Sequence, residues 1–304
     1  MEEIVLSMDK QPLVQETILQ ELIRPAPGSG HHEQAVRKFI AACGLSSATG
    51  YDLSHITKIV RAFSGIPYEN VSKIIKFAHS AGEISFRMPE EIYEDHRRWR
   101  LGGTCFSLTF YLLEILRFFE YRCYPIMGDM KWGENVHTAI LLDYHGQQYL
   151  VDPGYMIHQP LRISKDTPER HIAPHTGIDI RFRPEDERFD LCTFRSGNYT
   201  WRYRFSPTPV SLDEFSRHWI TSFFKPTMHG ICLTRTSRDE MIYVHNDFAK
   251  ISSPDTTSRL RTRNETEQII LEKFGIPMSL IEEARHALNI NRRIEQNLAE
   301  HETD

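Results

Sequence analysis

The chain has few cysteines and no long apolar run, and both shortages narrow what it can be. Its 304 residues include five cysteines, Cys43, Cys105, Cys123, Cys192 and Cys232, with no Cys-x-x-Cys pair among them. An odd, scattered set is unlike a disulfide framework or a zinc site, and fits reduced thiols in a cytoplasm. No apolar stretch approaches the roughly 18 residues that span a bilayer. The acidic start, Met1-Glu2-Glu3, has no apolar stretch behind it, so no secretory leader is expected. There is also no basic excess. The net charge of −5 argues against a general nucleic-acid binder. Arg97, Arg98 and Arg100 form one basic cluster, read as a solvated face. Internal repeats and low-complexity tracts are missing as well.

What is present is ordinary globular composition, 40% hydrophobic and 25% charged. At roughly 100–150 residues per domain, that length holds two or three packed units. An amphipathic stretch (Leu13, Ile18, Leu19, Leu22, Ile23) reads as an N-terminal helix, broken by Pro25-Ala-Pro27-Gly-Ser-Gly30. Helical spacing follows at Ala35, Val36, Phe39 and Ile40, and again from His55 to Phe63. Residues Phe106–Phe119 are apolar on nearly every side, the mark of a buried helix. Thr104 is placed to be its N-cap. Strands are expected at Arg122–Met127, Val136–Asp143 and Gln148–Val151, with a hairpin turn near His145-Gly146. The chain reads as β again at Trp201–Phe205 and Ile231–Val244. It ends in helix from Arg263 to about Gln296, interrupted at Ile276-Pro277. Helices, then sheet, then helix make the fold class α+β.

Cys105 opens the buried helix directly after Gly102-Gly103-Thr104. The positive end of a helix and its free N–H groups favour a thiolate there, and the glycines let the backbone approach closely. A turn at His145-Gly146 makes paired residue numbers sum to 291, so Asp152 faces residue 139 and His137 lies diagonally on the same face. A bulge or a register shift of two would set them directly opposite. A helix-start cysteine, a strand histidine and an orienting carboxylate are the parts of a thiol triad, with a thiolate–imidazolium pair at rest. The other four cysteines read as small core residues. His31-His32, His171, His175, His218 and His229 lack metal-site spacing, so no metal is expected. Trp219 and Phe223-Phe224 read as core ahead of an aromatic pocket wall, and Lys225 as a surface lysine.

Gly102-Gly103-Thr104-Cys105-Phe106, then His137, then Tyr149-Leu150-Val151-Asp152-Pro153-Gly154-Tyr155 resemble the motifs of the arylamine N-acetyltransferase family. Ile66-Pro67-Tyr68-Glu69-Asn70 is similar to its Ile-Pro-Phe-Glu-Asn segment. Phe215-x-x-x-Trp219-x-Thr221-Ser222, with the strand Gly230–Arg235, resembles the opening of its third domain. The likeness runs from about residue 33 to about 290. Departures are Leu101 where the family has Arg, Ser107 and Thr109 where Glu and Asn are usual, and Pro153 beside Asp152.

The resemblance implies an extension (1–30), a helical domain with the nucleophile (31–120), a β-barrel with His137 and Asp152 (121–210), and an α/β lid with C-terminal helices (211–304), on a cysteine-protease-like core. It implies ping-pong transfer of an acetyl or other acyl group from coenzyme A, through Cys105, to an arylamine, hydrazine or similar amine. Acetyl-CoA is then a co-substrate, with no tightly bound cofactor, nucleic acid or membrane partner. Gly154 and Tyr155 line the acyl pocket, Thr221 and Ser222 border the coenzyme A cleft, and N–H groups of Cys105 and near Gly103 supply the oxyanion hole. Open alternatives are a thiol hydrolase or amide synthase of the transglutaminase-like superfamily, and an idle scaffold.

Overall fold

The computed structural model describes residues 32–45, 52–172, 176–195, 197–237 and 239–300. The expected N-terminal helix, and His31 and His175, lie outside the described residues.

Five helices come first: α1 (His32–Ala42), α2 (Leu53–Phe63), α3 (Val71–His79), α4 (Pro89–Trp99) and α5 (Cys105–Phe118). Asp52 caps α2 by accepting from the His55 N–H at 2.9 Å. Periodicity does not mark α4, since only Pro89 and Ile92 of it are buried. It is held instead by proline in its first turn, Glu90 and Glu91 at its start, and His96, Arg97 and Arg98 at its end. The basic cluster is the solvated face expected, with Arg97 beside Glu94 and Arg98 over the Trp99 ring. α5 is the buried helix. Leu108, Leu112, Leu113, Ile115 and Leu116 have no exposed surface, and α1, α2 and the barrel pack around them.

The chain then enters an antiparallel, barrel-like eight-stranded sheet: β2 (Arg122–Met130), β3 (Gly133–Tyr144), β4 (Gln147–Val151), β5 (Leu161–Arg162), β6 (Glu169–Ile172), β7 (Gly177–Arg183), β8 (Arg188–Arg195) and β9 (Asn198–Phe205). Its order is β5-β4-β3-β2-β9-β8-β7-β6. Ile126, Leu141, Leu150, Leu191, Tyr203 and Phe205 fill the interior. The turn at His145-Gly146 uses left-handed backbone at both positions, φ 51° and 74°, as a two-residue hairpin requires.

Helix α6 (Leu212–Thr221) leads to a second sheet, with β10 (Cys232–Thr236), β11 (Met241–His245), β12 (Phe248–Ser252) and β13 (Thr257–Leu260). The single β region expected at Ile231–Val244 is therefore two strands joined by a turn. Its first strand, β1 (Tyr68–Glu69), is lent by the helical region, giving the order β1-β10-β11-β12-β13. Helix α7 (Arg263–Ile269) passes through a wide turn at Ile270–Phe274 to Gly275, at φ 71°, and on to α8 (Met278–Glu300). That stop is the interruption expected at Ile276-Pro277. The α8 helix lies along α3. Among the described residues no helix is long and apolar enough to cross a membrane.

Because α5 is enclosed on all sides, Leu112→Ala should lower the unfolding free energy by about 2–5 kcal/mol. Leu271→Ala, half-exposed at 52%, should cost well under 1 kcal/mol. Urea denaturation of the two variants checks the contrast.

Candidate active site

Cys105 is the first residue of α5 and is 8% exposed. Thr104 takes the N-cap position with extended backbone, but its hydroxyl makes no capping bond, contrary to the usual role of threonine there. The glycines before it are required by packing. A Cβ at Gly102 would stand 1.9 Å from the Pro67 carbonyl, and one at Gly103 2.3 Å from Ser107 Oγ. Both N–H groups are engaged: Gly102 donates to Glu69 Oε1 at 3.1 Å, and Gly103 to the Pro67 carbonyl at 3.4 Å. The Gly103 N–H is thus turned toward β1 and is not free for an oxyanion. Glu69 is wholly buried and also accepts from the Ser72 N–H and hydroxyl. Asn70 ties the same segment to β10, accepting from the Cys232 N–H and donating to the carbonyls of Thr227 and Gly230.

His137 and Asp152 come from β3 and the end of β4. The register is Tyr144 opposite Gln147 through Ile140 opposite Val151, the pairing expected from the turn. Asp152 is the first residue beyond the ladder, so no register shift is needed to bring it to His137. His137 Nε2 lies 2.9 Å from Asp152 Oδ2, and both side chains are buried. The other Asp152 oxygen accepts from the Tyr155 N–H at 2.9 Å. Tyr203, on β9, donates to Oδ2 at 2.6 Å and lays its ring 4.5 Å from the imidazole. Sequence reasoning missed Tyr203; it shows only as one buried aromatic in an alternating strand.

With Nε2 on the carboxylate, Nδ1 remains for the thiol, and Cys105 is close enough to act on the imidazole. Burial opposes the imidazolium, yet the Asp152 charge, its hydrogen bond and the Cys105 sulfur outweigh it, and the histidine is pushed up to about 10. Gly154 closes the site. A Cβ there would come within 2.7 Å of Cys105 Cβ and 3.0 Å of His137 Cε1. Tyr155 stands edge-on to the His137 ring at 5.2 Å.

The other sequence-selected residues sit as follows. Ser222 is buried; its hydroxyl donates to the Trp219 carbonyl and accepts from Lys73 Nζ at 2.7 Å. The exposed Thr221 hydroxyl bonds back to the Arg217 carbonyl. Both hydroxyls are therefore committed within the protein. Trp219 is core, stacked 4.1 Å from Phe86. Leu101 is core too, while buried Arg87 reaches the Gly102 carbonyl at 3.1 Å and pairs with Glu91 and Asp95. Ser107 bonds the Thr104 carbonyl, and Thr109 the Thr138 carbonyl, so each braces α5. Of the remaining cysteines, Cys123 is core, but Cys43 is exposed and Cys192 half-buried. Core placement is thus wrong for Cys43, which follows the last turn of α1 on the solvent side. Cys232 is half-buried beside Tyr243. A hollow of about 390 Å³, lined by Met127, Asp129, Arg188 and Glu214 among others, includes neither Cys105, His137 nor Asp152.

A family model described as N-acetyltransferase matches residues 52–283. The chain belongs to the arylamine N-acetyltransferase family. No curated protein is detectably similar by sequence. Solved arylamine N-acetyltransferases share the fold at low identity. The Mycobacterium abscessus enzyme has a TM-score of 0.72 at 14% identity, covering 88% of this chain and 99% of its own. The Mycobacterium tuberculosis enzyme has a TM-score of 0.68 at 18% identity, covering 84% and 97%. A Bacillus cereus member described as having a unique Cys-His-Glu catalytic triad has a TM-score of 0.62 at 16% identity, covering 80% and 98%. An N-acetyltransferase of this family is an enzyme, and here Asp152 stands where the histidine's acidic partner is needed.

Two outcomes follow from the charges. The His137 ring should stay protonated across neutral pH, with no shift of its carbon-bound proton resonances between about pH 6 and 8. In Asp152→Asn, with burial no longer offset by the carboxylate, the same resonances should titrate at much lower pH, with activity reduced by about 10²–10⁴-fold. Lys73, buried and without a carboxylate partner among the described residues, is pushed down to about 7 by burial, against the pull of Cys105. The unfolded chain holds that proton up to about 10.5, so this lysine's stability deficit shrinks as pH rises from about 7. His137 acts oppositely: its contribution is full below 6.5 and lost as pH rises toward 10. The stability gained by Lys73→Met over wild type should therefore diminish between about pH 7 and 9 in denaturant titrations.

Proposed function

We propose that the protein is an N-acyltransferase that moves an acyl group, usually acetyl, from coenzyme A to the nitrogen of an arylamine, hydrazine or similar amine. The observation that carries the reading is a helix-start Cys105 packed beside His137 under Gly154, with the imidazole fixed on the buried Asp152. In the first half-reaction the Cys105 thiolate attacks the thioester carbonyl. The tetrahedral adduct collapses, the C–S bond to coenzyme A breaks, and His137 protonates the departing sulfur. In the second, the amine nitrogen attacks the Cys105 thioester and gives its proton to His137. The amide leaves and the thiolate–imidazolium pair is restored. Asp152 holds the ring in one orientation throughout and offsets its positive charge.

In this reading Gly154 and Tyr155, packed beside Cys105 and His137, line the acyl pocket. The Cys105 N–H, at the start of α5, stabilises the oxyanion. Gly103 acts through its close packing on Ser107, not as a donor. Thr221 and Ser222, with both hydroxyls bonded within the protein, take no part in donor binding in this reading. The chain divides as 31–120 for the nucleophile's helices, 121–210 for the barrel and 211–304 for the lid. Reduced thiols suit a cytoplasmic setting.

Incubation with acetyl-coenzyme A, followed by intact-mass measurement, tests the proposal. One acetyl group should be gained by the wild type and none by Cys105→Ser, and an added arylamine should discharge it. No adduct, with peptide cleavage instead, sinks it.

A further inference from the structure

One row of side chains crosses the whole second sheet. Tyr68 pairs with Thr234, Thr234 with Tyr243, Tyr243 with Lys250, and Lys250 with Arg259. Directly paired residues project from the same face of a sheet. The opposite face, with Leu233, Val244 and Ala249, is buried in the hydrophobic core, so this row faces away from that core. Its inner end lies at the nucleophile: Tyr68 bridges Gly103 and feels the charge of Cys105. Its outer end is cationic and half-buried to exposed. Four interstrand steps at about 4.8 Å separate the ends by roughly 19 Å.

The barrel adds a third cation. The pairing of β8 with β9 slips between Leu191 and Cys192, so Arg202 falls at a β-bulge with no partner opposite it. Bulges redirect side chains, often beside active sites. Arg202 Nε donates to Thr193 Oγ1 at 2.7 Å. Its charge acts on Tyr155, Tyr243 and Lys250, so it stands close to the outer part of the row. Burial, then Arg259, Arg202 and Arg195, push the Lys250 ammonium below the ordinary lysine range, so every charged neighbour acting on it is positive. Arg195 is spoken for, since it donates to the carbonyls of Ser253, Pro254 and Thr256. Among the described residues, Arg202, Lys250 and Arg259 have no carboxylate partner. Gathering three such cations at one end of the row is unfavourable unless an anion joins them.

We infer that Arg202, Lys250 and Arg259 form an anion subsite that binds the phosphate end of the thioester donor. The donor's extended arm lies along Thr234 and Tyr243, and its reactive end reaches Cys105. The inference rests on the thioester reading above. A polar, aromatic run of roughly 19 Å ending in cations matches a long neutral arm that ends in phosphates. A small amine would span only the inner part of it.

The test compares acetyl-coenzyme A with acetyl-pantetheine, the same thioester without phosphates. The ratio of their kcat/KM values should fall about tenfold in Lys250→Gln and in Arg259→Gln, and further in the double variant, with raised KM for acetyl-coenzyme A. Lys250→Arg should keep the wild-type ratio, which separates lost charge from lost structure. An unchanged ratio overturns the inference. So does a change confined to the preference for a carboxylated over a neutral arylamine, which would move the anion to the acceptor. Calorimetry of coenzyme A binding to Cys105→Ser needs no turnover. There the Gln variants should bind about tenfold more weakly, and with a shallower salt dependence. Equal binding overturns the subsite even if acyl transfer is confirmed. Lost binding in the variants upholds it even if transfer fails.

Discussion

A carboxylate with no exposed surface is tolerable only when its oxygens are filled, and Asp152 is filled from three directions. The Tyr155 N–H takes one oxygen, and His137 and the Tyr203 hydroxyl share the other. Those donors come from β3, β9 and the loop after β4, so the charge fixes how three pieces of the barrel meet. Removing one donor would leave a buried acceptor short of a partner, at a cost of about 1–3 kcal/mol. The same contact fixes the tautomer and tilt of His137, and through it the state of Cys105. Structure and chemistry therefore hang on one ionic hydrogen-bond cluster.

A second buried carboxylate does similar work on the nucleophile's side. Glu69 grips the Gly102 N–H and both donors of Ser72, while neighbouring Asn70 grips β10. Two consecutive residues thereby lock the glycine loop under Cys105 to the second sheet. The loop passes so close to Pro67 and Ser107 that no side chain fits at Gly102 or Gly103. In the same way Gly154 lets the loop after Asp152 lie directly on Cys105 and His137. Glycine is needed at all three places for lack of room, since none of them has left-handed backbone.

The departures around the nucleophile are accommodated locally. Leu101 points into the core, and the guanidinium near the loop comes from Arg87, held by Glu91 and Asp95. Ser107 and Thr109 bond to backbone carbonyls of the cap and of β3. None of these substitutions moves Cys105 away from His137. They change what lies behind the nucleophile, together with Lys73, a buried cation whose partners are Ser222 and the Phe223 ring.

The local motifs were legible in the chain itself. An all-apolar stretch had to be the buried helix, a Gly-Gly before it had to be a close-packed loop, and the His145-Gly146 turn fixed the β3–β4 register and with it His137 and Asp152. Strands β5, β6 and β13 were not legible, because they are two to four residues long and mostly polar. Strands β7 and β8 do alternate (Ile178, Ile180, Phe182; Phe189, Leu191), so their signal lies in the chain. Tyr203 was hidden because its role comes from strand order: β9 pairs with β2, Asp129 opposite Arg204, and no spacing rule encodes so distant a pairing. The grouping of Arg202, Lys250 and Arg259 was hidden for the same reason, since β9, β12 and β13 belong to two sheets. Sequence by itself determined how His137 and Asp152 meet and where Cys105 stands, since these residues lie within one hairpin and one helix start, where short-range geometry decides. Only the tertiary structure decided what surrounds that triad, since long-range strand pairing and packing choose which distant side chains share its low-dielectric space.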